Sequence, residues 1–263
     1  YIMLSGTANA DSMLPKSVYY DKVKGGIVGH VAGLLTGFEF VWDLDGNPRV
    51  PLPEDWFELL KGPYGGGNPH GGAGVSRMLG SGIGSDDDYH IDFFNQLILA
   101  KCGVLPTHTE LMAQWRTHAV SDWGGGDKAM EVIRKYKLTP PYTGLFEYGN
   151  IFHWCTEAYI ENETLGLATP GMPITAFRLA ERFASITGDY ESVDWALFWA
   201  TAYAQAFLLE DGAQAIAYAA NTLPTDSHSR HIYDECITLY QKGSTWETAV
   251  KAIEVMRFEI YQC

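Results

Sequence analysis

Apolar residues recur with a helical period along most of the chain. In residues 174–186 they share one face, while the charged residues lie on the other. The apolar members are Phe177, Ala180, Phe183 and Ala184. This pattern is typical of an amphipathic helix. Residues 193–209 are apolar on nearly all sides, which is typical of a helix in the middle of a bundle. The periodicity therefore predicts an all-α fold with 193–209 as its central helix.

Two capping-box patterns predict where helices begin. Thr107 is followed three residues later by Glu110, and Ser244 by Glu247, so helices are expected over 111–119 and 246–260. Similar periodicity predicts further helices over 22–37, 91–99, 128–136, 152–165, 213–221 and 230–240. No segment alternates as a β-strand does. No internal repeat or change of composition marks a second domain, so residues 1–263 are interpreted as one domain.

Glycines recur every four residues in the first predicted helix, at Gly25, Gly29, Gly33 and Gly37. Each costs about 1 kcal/mol relative to alanine inside a helix, so a compensating contact is expected. Close packing against a neighbouring helix is the predicted compensation.

The irregular part of the chain lies between residues 43 and 84 and is rich in proline and glycine. A long loop in a compact domain usually has a function or is disordered. We predict that its 62–74 portion forms one wall of a site. It lacks the motifs of a P-loop or a dinucleotide fold.

An acidic cluster follows this loop directly. Between Asp86 and Asp92 the chain carries four carboxylates and the imidazole of His90. Carboxylates packed this closely are usually ordered by a helix N-terminus or by a metal ion. The residues alone leave both interpretations open, an acidic cap on the following helix or a metal site. Helical histidines such as His30 and His153 are interpreted as structural rather than as ligands, with His90, five residues past Ser85, as the exception that stays a candidate. Aromatic residues such as Trp154 are interpreted as core.

Composition excludes some partners and leaves others open. The formal net charge of −14 argues against nucleic acid and anionic membranes as partners. The most apolar early stretch, 27–42, is too short and polar to span a bilayer. Four widely spaced cysteines lack zinc-site spacing, and free thiols are favoured over disulfides. The chain starts with Tyr1 rather than methionine, which leaves the cellular compartment open.

Three segments in order resemble the ADP-ribosylglycohydrolase superfamily, which includes the dinitrogenase-reductase-activating glycohydrolases and the J1 crystallins. Asp21 to Gly33 resembles the first helix of that family. Ser85-Asp86-Asp87-Asp88 resembles its Ser/Thr-Asp-Asp-Thr metal motif. Residues 165–173 with the helix that follows resemble the segment before its central helices. The resemblance implies an orthogonal all-α bundle with a dinuclear Mg²⁺ site that hydrolyses a C1 glycosidic bond of ADP-ribose or a related furanoside.

Carried over to this sequence, the resemblance makes Ser85, Asp86 and Asp87 metal ligands. Asp88 stands where relatives usually have threonine and is a further ligand or a cap. Asp87 and Glu163 are the candidate catalytic residues, with Glu163 near the position of an aspartate in some relatives. A solvated helix end is the preferred alternative for Glu163. The expected substrate is a small sugar or an ADP-ribosyl group.

Two departures from the family pattern favour other functions. Gly188 stands where relatives commonly have histidine, and the chain lacks the later Asp-x-Asp segment, so a complementing C-terminal segment is an expected partner. One alternative is a non-catalytic structural or binding member of the same fold, similar to crystallin J1. Another is a metal-independent glycosidase with two carboxylates about 5 to 9 Å apart.

Overall fold

The computed structural model describes residues 14–37, 87–119 and 124–260. All regular structure in these ranges is helical, so the all-α prediction is confirmed there. The helices are α1 (Lys16–Gly37), α2 (Asp87–Cys102), α3 (His108–His118), α4 (Gly124–Tyr136), α5 (Glu157–Ile160), α6 (Pro173–Ala184), α7 (Glu191–Ala206), α8 (Gly212–Ala219), α9 (His228–Gln241) and α10 (Trp246–Ile260). Short 3₁₀ turns, η1 (Phe146–Tyr148), η2 (Glu163–Leu165) and η3 (Ala220–Thr222), connect some of them.

The chain divides into two compact units. The larger contains residues 1–26 and 86–231, and the smaller contains residues 27–85 and 232–263. Within the larger unit, α7 packs against α5, α6 and α8, and no residue of α7 is highly exposed. The prediction of a buried central helix is therefore confirmed.

The core of the larger unit is apolar and built from several helices. Its most deeply buried large side chains include Ile98, Leu111, Met112, Trp115, Met130, Ile133, Leu179 and Phe183. Ala200 and Ala204 of α7 belong to the same buried cluster as Leu179, Ala180 and Phe183 of α6. The stripe predicted on α6 is present, with Leu179 and Ala176 added to it.

The helix ends follow the capping chemistry of the sequence only in part. Thr107 forms the predicted capping box with Glu110 at the start of α3. In the smaller unit, α10 begins at Trp246 as predicted, but the hydroxyl that accepts the N–H of Thr248 belongs to Thr245. The prediction of Ser244 as the cap is therefore wrong by one residue.

The prediction of a helix over 152–165 is wrong. That segment is a series of turns containing only the four-residue α5 and η2. His153 consequently lies in a turn rather than on a helix, whereas His30 and His90 are helical as predicted. Trp154 is 58% exposed, so its interpretation as a core residue is also wrong.

The packing predicted for the glycine stripe of α1 is absent among the described residues. A Cβ atom built on Gly25, Gly29 or Gly33 meets no described atom within 4 Å. The glycine in contact is Gly26, where a Cβ would lie 3.0 Å from both Cδ atoms of Leu167. In the larger unit, Lys22 also donates from Nζ to the carbonyl oxygen of Ala206 at 2.8 Å.

The cysteines and the apolar character of the helices can be compared with the predictions. Cys102, Cys155 and Cys236 are free, half-buried thiols, as predicted for them, and Cys263 lies outside the described residues. No helix of the described ranges combines the length and the apolar character that a bilayer span requires.

Candidate functional site

The acidic motif leads into α2, which begins at Asp87. Asp87 and Asp88 are its first two residues, so the prediction that Asp87 stands at a helix N-terminus is confirmed. Ser85 and Asp86 lie outside the described residues, as does the 62–74 loop that was predicted to wall the site. For Asp87 and Asp88 the structure describes the helical backbone.

The inward face of α2 carries polar residues between apolar ones. Asp92 and Asn95 are 2% and 1% exposed, and they lie between the buried Ile91 and Ile98. Asp92 stands four residues after Asp88, which places both residues on the same side of the helix. The helix that the acidic motif opens thus brings a carboxylate into the interior of the larger unit.

The carboxylate of Asp92 lies close to that of Glu163. One carboxylate oxygen of each lies within 4.8 Å of the other. Glu163 begins η2, is half-buried, and its Oε2 atom is shielded from solvent. The preferred interpretation of Glu163 as a solvated helix end is therefore wrong. The structure brings Glu163 together with Asp92, a residue that sequence reasoning did not select.

Hydrogen bonds fix η2 against α2. Thr164 donates from its hydroxyl to Oδ1 of Asp92 at 2.5 Å. Gln96 donates from Nε2 to the same hydroxyl oxygen at 3.1 Å. Because Thr164 directly follows Glu163, these bonds hold the backbone that carries the second carboxylate.

A second pair of hydrogen bonds holds the preceding residues. Asn95 donates from Nδ2 to the carbonyl oxygen of Glu161 at 2.8 Å and to Oδ1 of Asn162 at 3.0 Å. Asn162 in turn donates to the carbonyl oxygen of Ala158 at 2.7 Å. Asn162 is only 2% exposed, so the Asn162-Glu163-Thr164 sequon is closed to a glycan in the folded chain. Buried polar networks of this kind specify one arrangement of the elements that they join.

Burial determines the acid–base character of the pair. It raises the pKa of Asp92 to about 7, although hydrogen bonds from Thr164 act in the opposite direction. Burial also raises the pKa of Tyr203 on α7 to about 12, and the charges of Glu163 and Asp92 contribute to that increase. The phenol of Tyr203 therefore lies in the electrostatic field of both carboxylates and stays neutral near pH 7.

Glycine packing places η2 against α7. A Cβ atom on Gly166, which follows η2, would lie 2.5 Å from Cβ of Tyr203 and 2.4 Å from the carbonyl oxygen of Ala200. Only glycine permits that approach without displacing the backbone. The site is thus bounded by α2, η2 and the middle of α7.

Two carboxylates at this separation can do two kinds of chemistry. A carboxyl with a pKa near 7 can donate or accept a proton at neutral pH, beside a second carboxylate that accepts one. Asp92 and Glu163 can also supply oxygen ligands to a hard divalent cation, for which carboxylates are the preferred protein ligands. In the smaller unit, burial lowers the pKa of His30, which favours its neutral imidazole.

The departure from the family pattern at Gly188 has a structural reason. A Cβ atom there would lie 2.7 Å from both Cβ of Ala158 and Oγ of Ser192. A histidine cannot occupy this position without displacing α5 or α7. The chain around Gly188 is therefore built for close packing rather than for a polar side chain.

The signal for Asp92 was present in the sequence. An aspartate, an asparagine and a glutamine stand at helical spacing among the apolar residues of 91–99, which is unusual for a face that packs into a core. Comparison with protein-family models, curated proteins and solved structures finds no match to this chain. The resemblance to the ADP-ribosylglycohydrolase superfamily therefore stays a prediction.

Proposed function

We propose that the protein is a Mg²⁺-dependent hydrolase that cleaves a C1 glycosidic bond of ADP-ribose or a related furanoside. One observation carries the proposal: the helix opened by the acidic motif brings Asp92 within 4.8 Å of Glu163, between their nearest carboxylate oxygens. Glu163 was selected from the sequence as a catalytic residue, and the structure gives it a partner.

The roles follow from the environments of the two carboxylates. Asp92 is the more buried and has the raised pKa, so it is suited to protonate the leaving group as a general acid. Glu163 is the base or nucleophile on the other side of the bond. Glycosidases that retain configuration place their carboxyl groups about 5 to 5.5 Å apart, and nearest oxygens within 4.8 Å of each other are compatible with such a pair.

The cation would be held by Ser85, Asp86, Asp87 and Asp88, which the resemblance assigns. Their donor chemistry fits Mg²⁺, which binds to carboxylate and hydroxyl oxygens and keeps several waters. Of these four, Asp87 and Asp88 are the first two residues of α2, and a helix N-terminus favours negative charge. A bound Mg²⁺ would orient the ribose hydroxyls and polarise the leaving oxygen.

The direct test measures release of sugar from an ADP-ribosylated peptide and from a p-nitrophenyl ribofuranoside. We expect Asp92→Asn and Glu163→Gln each to lower kcat by about 10²- to 10⁴-fold, the usual contribution of a positioned acid or base. Asp87→Asn should abolish Mg²⁺ dependence and most activity. Glu181→Gln, on the exposed face of α6, is the control and should leave activity unchanged.

A second candidate is a non-catalytic structural or binding member of the same fold. The packing at Gly188 favours it, because this chain has no room for a histidine that relatives commonly use. This alternative predicts that the wild-type chain binds ADP-ribose in a calorimeter and releases no sugar at any Mg²⁺ concentration. Hydrolysis that depends on Asp92 and Glu163 would contradict it.

A further inference from the structure

Five aromatic side chains of the larger unit are exposed close to one another in the chain. They form what we call the aromatic surface: Tyr142, Phe146, Tyr148, Trp154 and Tyr190, each between 40% and 61% exposed. Four come from the turn-rich segment that includes η1, and the fifth immediately precedes α7. Exposed apolar clusters of this kind usually mark binding surfaces.

Four of the five rings make close contacts with another aromatic ring or with His153. His153 lies between two of them, with ring centroids 5.6 Å from Phe146 and 6.0 Å from Tyr190. Tyr142 and Tyr148 form a separate T-shaped pair at 5.2 Å. The row from Phe146 through His153 to Tyr190 is therefore continuous.

The backbone beneath the aromatic surface is fixed by buried hydrogen bonds. Asn150 donates from Nδ2 to the carbonyl oxygens of Gly125, Thr143 and Thr187 at 3.0 to 3.2 Å. The N–H of Asp189 donates to the carbonyl oxygen of His153 at 2.9 Å. A surface held in this way loses little conformational entropy when it binds a partner.

Tyr190, which belongs to the aromatic surface, has an unfavourable backbone conformation. Its φ is 50°, in a region that side-chain-bearing residues rarely adopt. Such a conformation is strained for a residue with a side chain, and strained residues cluster at binding and catalytic sites. It places an aromatic ring at 61% exposure beside His153.

The charge around the aromatic surface is negative. Residues 138–177 and 183–229, which supply the surface, contain no lysine or arginine. Burial raises the pKa of Asp189, and the charges of Glu147 and Glu191 add to the increase while that of His153 opposes it, so each glutamate is close enough to repel Asp189. A partner that brings positive charge would relieve this repulsion.

We propose that the aromatic surface binds an arginine-bearing segment of a partner protein. A guanidinium group stacks on aromatic rings and pairs with carboxylates through two parallel hydrogen bonds, which a lysine ammonium cannot do. Phe146 and Tyr190 supply the rings, and Glu147 and Glu191 supply the carboxylates. The inference is independent of hydrolysis at Asp92 and Glu163.

The test is fluorescence anisotropy of a fluorescein-labelled peptide of alternating arginine and glycine, titrated with the 263-residue chain. Phe146→Ala and Tyr190→Gly should each weaken binding about tenfold, as expected for anchor residues. Glycine is chosen at Tyr190 because it tolerates the positive φ. Glu147→Gln should weaken binding severalfold and reduce its dependence on salt.

Matched controls and a second peptide decide the outcome. Tyr136→Ala removes an equally exposed tyrosine that has Lys135 above its ring, and Glu181→Gln removes an exposed carboxylate. Both should bind the peptide as the wild type does, and circular dichroism should show that every variant is folded. A lysine peptide should bind less tightly than the arginine peptide. Absence of arginine-peptide binding, equal binding by all folded variants, or no preference for arginine would each overturn the proposal.

Discussion

Two contacts within the larger unit are built on opposite principles. The contact of α6 with α7 is apolar and uses Leu179, Ala180 and Phe183 against small residues of α7. The contact of α2 with residues 161–164 is polar and uses Asp92, Asn95 and Gln96. Apolar packing holds the first contact without specific partners, whereas the second depends on each donor finding its acceptor.

The apolar contact serves mainly the stability of the fold, and the polar contact serves mainly the candidate site. The apolar contact supplies the free energy of folding, and the polar contact fixes the position of two carboxylates near each other. Burying Asp92 costs stability at neutral pH because burial disfavours its charged form. Such a cost is usual where a site requires a perturbed group.

The largest effect is expected from truncation in the apolar contact. Phe183 is 2% exposed and packs in the core, so Phe183→Ala should lower the free energy of unfolding by about 3 to 5 kcal/mol. Denaturant titration measures this change. Phe93→Ala, at a position 58% exposed on α2, is the matched control and should change stability by less than about 0.5 kcal/mol. Equal losses at both positions would contradict the assignment of the core.

The next effect is a pH dependence that only the polar contact should show. The pKa of Asp92 is raised from 3.8 to about 7 in the folded chain, so folding favours its neutral form. Its stabilising contribution is complete below pH 3.8 and is lost as the pH rises through about 7. A difference of one in pKa between the folded and unfolded chain corresponds to about 1.4 kcal/mol in the free energy of unfolding.

Asp92→Asn removes this titration and checks the assignment. Across the range from pH 4 to 8, the free energy of unfolding of the variant should change less than that of the wild type. Above pH 7 the variant should be the more stable of the two. Parallel pH curves for the two proteins would show that Asp92 titrates as an ordinary exposed carboxyl.

A smaller loss is expected when the polar contact loses one donor. Asn95→Ala removes the buried hydrogen bonds that Asn95 donates to the carbonyl oxygen of Glu161 and to Oδ1 of Asn162, which should cost about 1 to 3 kcal/mol. Asn221→Ala is the control, because Asn221 donates to the carbonyl oxygen of Tyr218 at 2.9 Å on the exposed surface. Its loss should stay below about 0.5 kcal/mol. If hydrolysis is observed, Asn95→Ala should lower kcat as well, since the segment that leads into Glu163 loses two of the hydrogen bonds that position it.

The sequence predicted the apolar contact well because periodicity reports burial directly. The bounds of α6 and α7 agree with the apolar patterns to within a few residues, and α10 agrees at both ends. The Thr107 cap was also predictable, because its hydrogen bonds join residues three apart in the chain. Interactions between residues three or four positions apart produce patterns that can be recognised in the sequence.

The polar contact and the turns could not be predicted in the same way. Asp92 and Thr164 are 72 residues apart in the chain, and Asn95 and Glu161 are 66 apart. The helix predicted over 152–165 was wrong because the turns there are held by long-range bonds, such as the one from the N–H of Asp189 to the carbonyl oxygen of His153. The contact of α1 was unpredictable for the same reason. Glycine spacing did not show that, among the described residues, Gly26 rather than Gly25, Gly29 or Gly33 would meet the distant Leu167.

The central claim is that Asp92 and Glu163 interact, and a double-mutant cycle on stability at pH 8 tests it most directly. At that pH the carboxyl of Asp92, whose pKa is about 7, is mostly ionised, and it lies within 4.8 Å of the carboxylate of Glu163. Asp92→Asn and Glu163→Gln should therefore each relieve repulsion between the two groups. The double variant should gain less than the sum of the two single changes, by at least about 0.5 kcal/mol. Asp92→Asn combined with Glu181→Gln should be additive, because Glu181 lies on the exposed face of α6. Additivity for Asp92 with Glu163, equal to that of the control pair, would contradict the account.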